Sequence, residues 1–170
     1  TQRHTTAPFS FCVGECNRRG IASLPPDSTR SGLQFTPEEH KGAMAIRHGL
    51  AGIKNVGEGA MESAVREREL NGDFLSVEDF CARLDSRIAN RKMLESLVKA
   101  GAFDFLGRDR AELFGCIEES LAASAAAHRD RAAGPVSLFN ELSQPAHSRR
   151  QKTVVPWSER ERMTHEKELL

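Results

Sequence analysis

The sequence predicts a mainly α protein with a helix-hairpin-helix at its centre, a short β-hairpin ahead of it and a flexible C-terminal linker behind it. Three observations carry this. The stretch Ile46 to Leu70, IRHGLAGIKNVGEGAMESAVREREL, reads as an apolar helical segment, the turn Lys54-Asn55-Val56-Gly57, and a helix starting on Glu58-Gly59 with Ala60, Met61, Ala64 and Val65 at core spacing. Upstream, Leu33-Gln34-Phe35 alternates like a strand, and Ala45-Ile46-Arg47-His48 suits its antiparallel partner. Downstream, from Gly134 to Pro156, periodicity gives way to Pro, Ser, Gln, His and Arg, the composition of a linker without its own core.

Taken in order, Ala7 to Arg19 suits a short helix with Phe9, Cys12, Val13 and Cys16 on one side, closed by Arg18-Arg19-Gly20. Ile21 to Leu24 is extended, because Pro25-Pro26 forbids helix there. Thr36-Pro37-Glu38-Glu39 fits one helical turn inside the connection between the two strands. After the central motif, Asn71-Gly72 stops its helix. Ser76 caps the next, with Asp79 as capping partner and Val77, Phe80, Cys81 and Leu84 inward. Asn90 caps Arg91 to Ala100, whose Met93, Leu94, Leu97 and Val98 are apolar, and Gly101 ends it.

Ala102 to Leu106 supplies bulky anchors, and the longest helix is expected from about Asp109 to Ala133, its Ala-rich second half projecting into solvent. Ser158-Glu159-Arg160-Glu161 is a capping box opening a charged helix that runs to Leu170 without a stop signal, as a fragment would. The implied segments are 1–45, 46–133, 134–156 and 157–170, the first and the last two expected to be less ordered than the middle.

Composition narrows the function classes. With 24 Lys+Arg against 24 Asp+Glu the chain is neutral, which argues against coating nucleic acid by bulk charge; contacts must come from local clusters or backbone amides. No Tyr and a single Trp157 disfavour a base-stacking surface. Cys12, Cys16, Cys81 and Cys116 have neither disulfide-framework nor zinc-ribbon spacing, so no metal site is expected. No apolar run reaches a membrane span, and a cytoplasmic location without membrane contact is expected.

The chemistry of the hairpin follows from its turn. Asn55 and Gly57 are expected to take the unusual backbone angles a short turn needs, letting Val56 tuck between the helices. The amides of about Val56 to Gly59 then point outward at the positive end of the second helix, which makes a phosphate cradle. Lys54 adds a charge there, Gly59 and Ala60 permit close approach, and Glu58 tempers affinity. None of these groups addresses a base edge, so binding is expected to ignore sequence. The bland alternative is a helix-helix turn with no ligand.

IRHGLAGIKNVGEG, SVEDFCARLD and LESLVKAGAFD, with GECNRRGIASLPPD before them and PWSERERMTHEKELL after, resemble the region following the fingers domain in bacterial replicative DNA polymerase III alpha subunits, which are C-family polymerases. The resemblance spans nearly the whole chain. It implies a tandem helix-hairpin-helix domain that holds double-stranded DNA behind the polymerase site, within the rest of that subunit, followed by a peptide that docks on the sliding clamp.

By this resemblance the first hairpin is Lys54, Asn55, Val56, Gly57, Glu58 and Gly59. A second, degenerate one follows Ser76 and Asn90, with Arg87, Arg91 and Lys92 as candidate phosphate contacts; a solvated basic face is the competing reading of those three. The clamp peptide is Val136, Ser137, Leu138 and Phe139, although Pro135 stands where the family has Gln.

The family's catalytic carboxylates and their Mg2+ belong to a palm upstream of this stretch. No acidic cluster here replaces them, so no catalytic residue and no cofactor is expected in this chain. Two other readings compete: hairpins that only brace neighbouring domains, and an independent helix-hairpin-helix repair protein, which the flanking family blocks disfavour.

Overall fold

The computed structural model describes residues 14–16, 18–85, 87–132 and 154–170. Helical backbone at 14–16 and 18 is followed by a turn at Gly20, whose φ of 70° suits glycine. Strand β1 is Ala22–Leu24, β2 is Thr36–His40 and β3 is Ala43–Arg47. They form one sheet in the order β1-β3-β2, with β1 parallel and β2 antiparallel to the central β3.

The β-hairpin expected from the sequence is present, but its first strand is 36–40 rather than 33–35, and no helical turn forms at 36–39. Two local facts explain the shift. Lys41 and Gly42 both have positive φ, 53° and 78°, the signature of the two-residue turn that matches strand twist, and this fixes the register Thr36↔Arg47 to His40↔Ala43. As an edge strand, β2 also tolerates Pro37 and needs no apolar alternation.

The sheet is fastened by polar side chains. Arg47, almost wholly buried, grips Glu38 through Nε at 2.7 Å and Nη2 at 2.8 Å, and donates from Nη1 to Pro25 O at 3.0 Å. Arg68 donates to the carbonyls of Ser28 and Ser31, both at 2.9 Å, and Ser28 N–H donates to Ala102 O at 2.9 Å. These bonds tie the loop between β1 and β2 to the helices.

The helices are α1 Glu58–Asn71, α2 Val77–Arg83, α3 Arg91–Ala100, α4 Arg110–Gly115, α5 Ile117–Ala132 and α6 Glu159–Leu169. Their stops and starts are those written in the sequence. Gly72 ends α1 at φ 82°, Ser76 Oγ accepts from Asp79 N–H, Asn90 accepts from Met93 N–H, and Gly101 ends α3 in the left-handed region. One core joins Ile53, Val56, Met61, Phe74, Phe80, Leu94, Leu97, Phe103, Leu113 and Ile117 with Leu169. Phe74, Phe80 and Phe103 stack edge to face at centroid separations of 4.8 and 5.3 Å.

Three expectations about the helices change. The long helix from 109 is two, because the chain breaks at Cys116, whose N–H is shared among the carbonyls of Glu112, Leu113 and Phe114. The Ala-rich half of α5 packs on α2 instead of projecting into solvent: Ser124 Oγ donates to Cys81 O at 2.7 Å and Arg131 donates to Ala82 O at 3.0 Å. Small side chains let the two backbones approach closely, which a search for bulky apolar residues overlooks. Finally, α6 opens on the expected capping box of Ser158 and Glu161 and then docks along α3, with Leu169 in the core.

Candidate nucleic-acid interface

The first arm of the central hairpin is not an α-helix. Ile46 and Arg47 finish β3, and one 3-10 turn, Leu50–Gly52, leads to the loop. Leu50 N–H donates to Gly32 O at 2.9 Å and Ala51 N–H to Leu33 O at 3.1 Å, so the arm lies along residues 32 and 33. Gly49 sits at the closest approach, where a Cβ would overlap Leu33 O and the Gln34 backbone. Non-local bonds of this kind override the helical spacing read from the sequence.

At the turn, Asn55 takes the left-handed conformation with φ 63°, and its amide reaches Ser96 Oγ on α3 at 3.4 Å. Val56 is buried as expected. Gly57 caps α1 at φ −71°, an ordinary extended angle, so the expectation that it supplies an unusual one is corrected. Val56 N–H also donates back to Ile53 O at 3.3 Å, which removes it from the outward-facing set.

What remains is a group of three exposed residues, Gly57, Glu58 and Gly59, opening a 14-residue helix. Among the described residues their amides have no backbone acceptor, while Ala60 and Met61 already donate to Gly57 O. A Cβ at Gly59 would meet nothing within 4 Å, and at Gly57 only Ala60 Cβ at 4.0 Å. The fold therefore has no steric use for these two glycines. Their effect is to leave the positive helix end bare, with Glu58 beside it as the one carboxylate of the first turn.

The predicted cations are placed less simply. Lys54 turns to the far end of α6, donating from Nζ to Glu168 O at 2.8 Å and from its backbone N–H to Leu169 O at 3.0 Å. Arg87 and Arg91 belong to the loop and helix start of a second hairpin, α2 to α3. Arg87 pairs with Asp85 at 3.2 Å, and Arg91 pairs with Glu95 at 2.7 Å and with Glu118. Lys92 is exposed, with no ion-pair partner among the described residues. Val136, Ser137, Leu138 and Phe139 lie outside the described residues. No three His, Cys, Asp or Glu side chains gather as metal ligands among the described residues, and none of their helices is long and apolar enough to cross a membrane.

Residues 20–113, a span that holds both hairpins, match the helix-hairpin-helix motif family. The chain belongs to that family. Its sequence is also similar to a segment of DNA polymerase III subunit alpha from several bacteria. It is 39% identical to that of Thermus aquaticus over 144 residues, 85% of this chain and 11% of the relative. It is 35% identical to that of Vibrio cholerae over 160 residues, 93% of this chain and 14% of the relative. It is 37% identical to that of Deinococcus radiodurans over 172 residues, 99% and 12%. The helix-hairpin-helix chain thus spans only about an eighth of the length of these relatives.

Proposed function

We infer that this helix-hairpin-helix chain holds duplex DNA by its phosphate backbone, without regard to sequence, as a segment of a replicative polymerase subunit whose chemistry lies elsewhere. The observation that carries this reading is the bare amide triplet of Gly57, Glu58 and Gly59 at the start of α1, kept open by glycines that the fold does not require. Lys92 and, on exchange of their carboxylate partners for phosphate, Arg87 and Arg91 add contacts from the second hairpin. Val136, Ser137, Leu138 and Phe139 tether the chain to a sliding clamp through Leu138 and Phe139. The polymerase reaction, with its Mg2+ held by palm carboxylates, belongs to parts of the parent outside this chain.

Fluorescence anisotropy with two labelled duplexes of unrelated sequence tests the DNA reading. Equal, weak, salt-sensitive binding is the expected result, and Gly57→Val should lower it for both duplexes alike. A clamp pull-down with Leu138→Ala and Phe139→Ala tests the tether; retention of both variants would remove it.

One observation favours a second reading, in which the hairpins brace neighbouring parts of the protein. Lys54, Arg87 and Arg91 all spend their charge on intramolecular partners. Unchanged duplex affinity in Gly57→Val would favour that role.

A further inference from the structure

Lys54 stands at the head of the hairpin turn, one residue before the left-handed Asn55 and three before Gly57. The simplest expectation for such a lysine is a direct phosphate contact. Its surroundings say otherwise. Nζ and the backbone N–H both donate to the last turn of α6, at Glu168 O and Leu169 O.

A helix C-terminus presents carbonyls without intrahelical donors and carries the negative end of the dipole, so an ammonium there is held by charge as well as by the hydrogen bond. The same end of α6 is pinned from two other sides. Leu169 is buried in the core that contains Val56, the apolar plug of the turn. Glu166 accepts from Arg110 at 2.7 Å.

Resting on the DNA-binding reading, we propose that Lys54 is a positioning residue: it clasps the end of α6 and through that clasp fixes the turn that aims the amides of Gly57, Glu58 and Gly59, rather than touching phosphate itself. The hairpin and α6 then act as one unit. Anything that undocks α6 loosens the turn from behind, and loss of the Lys54 ammonium does the same from in front. The two perturbations share one pathway, so their effects on DNA should not add.

The chain carries its own reporter of α6. Trp157, the single tryptophan, lies just before that helix against Phe114 and His165, at centroid distances of 5.5 and 4.7 Å. The experiment uses the whole 170-residue chain as wild type, Lys54→Ala, Leu169→Ala and the double variant. Duplex affinity is measured by anisotropy across a salt series, and Trp157 emission is read without DNA.

The expected result has three parts. Lys54→Ala and Leu169→Ala each weaken binding several-fold, and together no further. Trp157 emission moves to the red in both. The slope of log affinity against log salt stays at the wild-type value, because no phosphate contact has been removed.

A slope shallower by about 0.9 in Lys54→Ala, the mark of one lost phosphate contact, with Leu169→Ala binding as wild type, would overturn the proposal and make Lys54 a direct ligand. Wild-type affinity in both single variants would overturn it as well. If the wild-type chain binds no duplex at any salt, the DNA reading falls and the proposal with it, an outcome distinct from a failed clasp on a chain that still binds.

Discussion

Arg110 clasps Asp104 with two parallel hydrogen bonds, Nε to Oδ1 at 2.7 Å and Nη2 to Oδ2 at 2.6 Å, while its Nη1 reaches Lys99 O at 3.0 Å and Glu166 on α6 at 2.7 Å. One guanidinium, only 4% exposed, thereby joins the end of α3, the 3-10 turn Asp104–Leu106 and α6. Gly101 makes room for it: a Cβ there would overlap the guanidinium, and the φ of 87° would strain any other residue.

Arg110→Met keeps the stem and removes the charge. Breaking a fully buried pair costs roughly 3–5 kcal/mol. Asp104 and Glu166 retain partial contact with water, at 37% and 34% exposure, which lowers the expectation to about 2–3 kcal/mol. Urea denaturation measures it, and a midpoint equal to wild type would show that the methionine packs as well as the ion pair.

Gly59→Ala separates folding from function. The added methyl meets nothing within 4 Å, and alanine in place of glycine in a helix stabilises by about 0.5–1 kcal/mol. The same methyl covers part of the surface on which a phosphate would sit. The expected outcome is a higher melting temperature with lower duplex affinity, read on one protein preparation; a more stable variant that binds as well as wild type would argue against close approach at this position.

Gly49→Ala is expected to do the reverse. Its φ of −77° suits any residue, so the cost is steric alone: the Cβ would fall on Leu33 O and within 2.7 Å of Gln34 Cα, which are backbone atoms with no rotamer to yield. A destabilisation of about 3 kcal/mol, the upper end for overpacking, should appear as a lowered denaturation midpoint. Residues 32–34 and the first arm of the hairpin would have to part, so the amide exchange of Leu50 and Ala51 should accelerate more than that of Leu94 or Leu97 in α3.

The contrast between these two glycines also shows how far the sequence could be read. Local signals sufficed where the cause was local: Ser76, Asn90, Ser158, Gly72 and Gly101 mark helix ends through their own side chains or φ angles, and the apolar spacing of α1 to α3 names their buried faces. The start of α1 after Gly57 was legible for the same reason, although the expected set of outward amides included Val56, whose N–H turns back to Ile53 O. The rest depends on residues far apart in the chain. Nothing in IRHGLAGI says that residues 32 and 33 will claim its N–H groups and turn an apparent helix into a strand end and a 3-10 turn. Nothing near Lys54 announces the carbonyls of Glu168 and Leu169. No local signal marks Arg47, Arg68 or Arg110, yet each bridges separate parts of the fold.

Acid should unfold the sheet end of the molecule in two steps. His48 is buried, and burial pushes its imidazole below the ordinary value, with the bond from Nδ1 to Gly49 O at 2.7 Å opposing the shift in part. A base whose folded pKa is depressed resists protonation in the native state. Its contribution is therefore intact above the unfolded value of about 6.5 and erodes as pH falls below it. The carboxyl of Glu38 is held below the usual carboxylate range, chiefly by its hydrogen bond from Arg47. That contribution is present above an unfolded value of about 4.3 and is lost as pH falls through the depressed folded one. Denaturation midpoints should thus be flat from pH 8 to about 7, decline from about 6.5, and decline again below about 4.3. His48→Asn, which does not titrate, should abolish the first decline and leave the second; Glu38→Gln should leave the first and shrink the second, from a lower starting midpoint because Arg47 loses its ionised partner. A wild-type midpoint that holds constant from pH 7 to 5 would mean that His48 meets protons equally well folded and unfolded, and the buried imidazole would no longer account for any acid sensitivity of this fold.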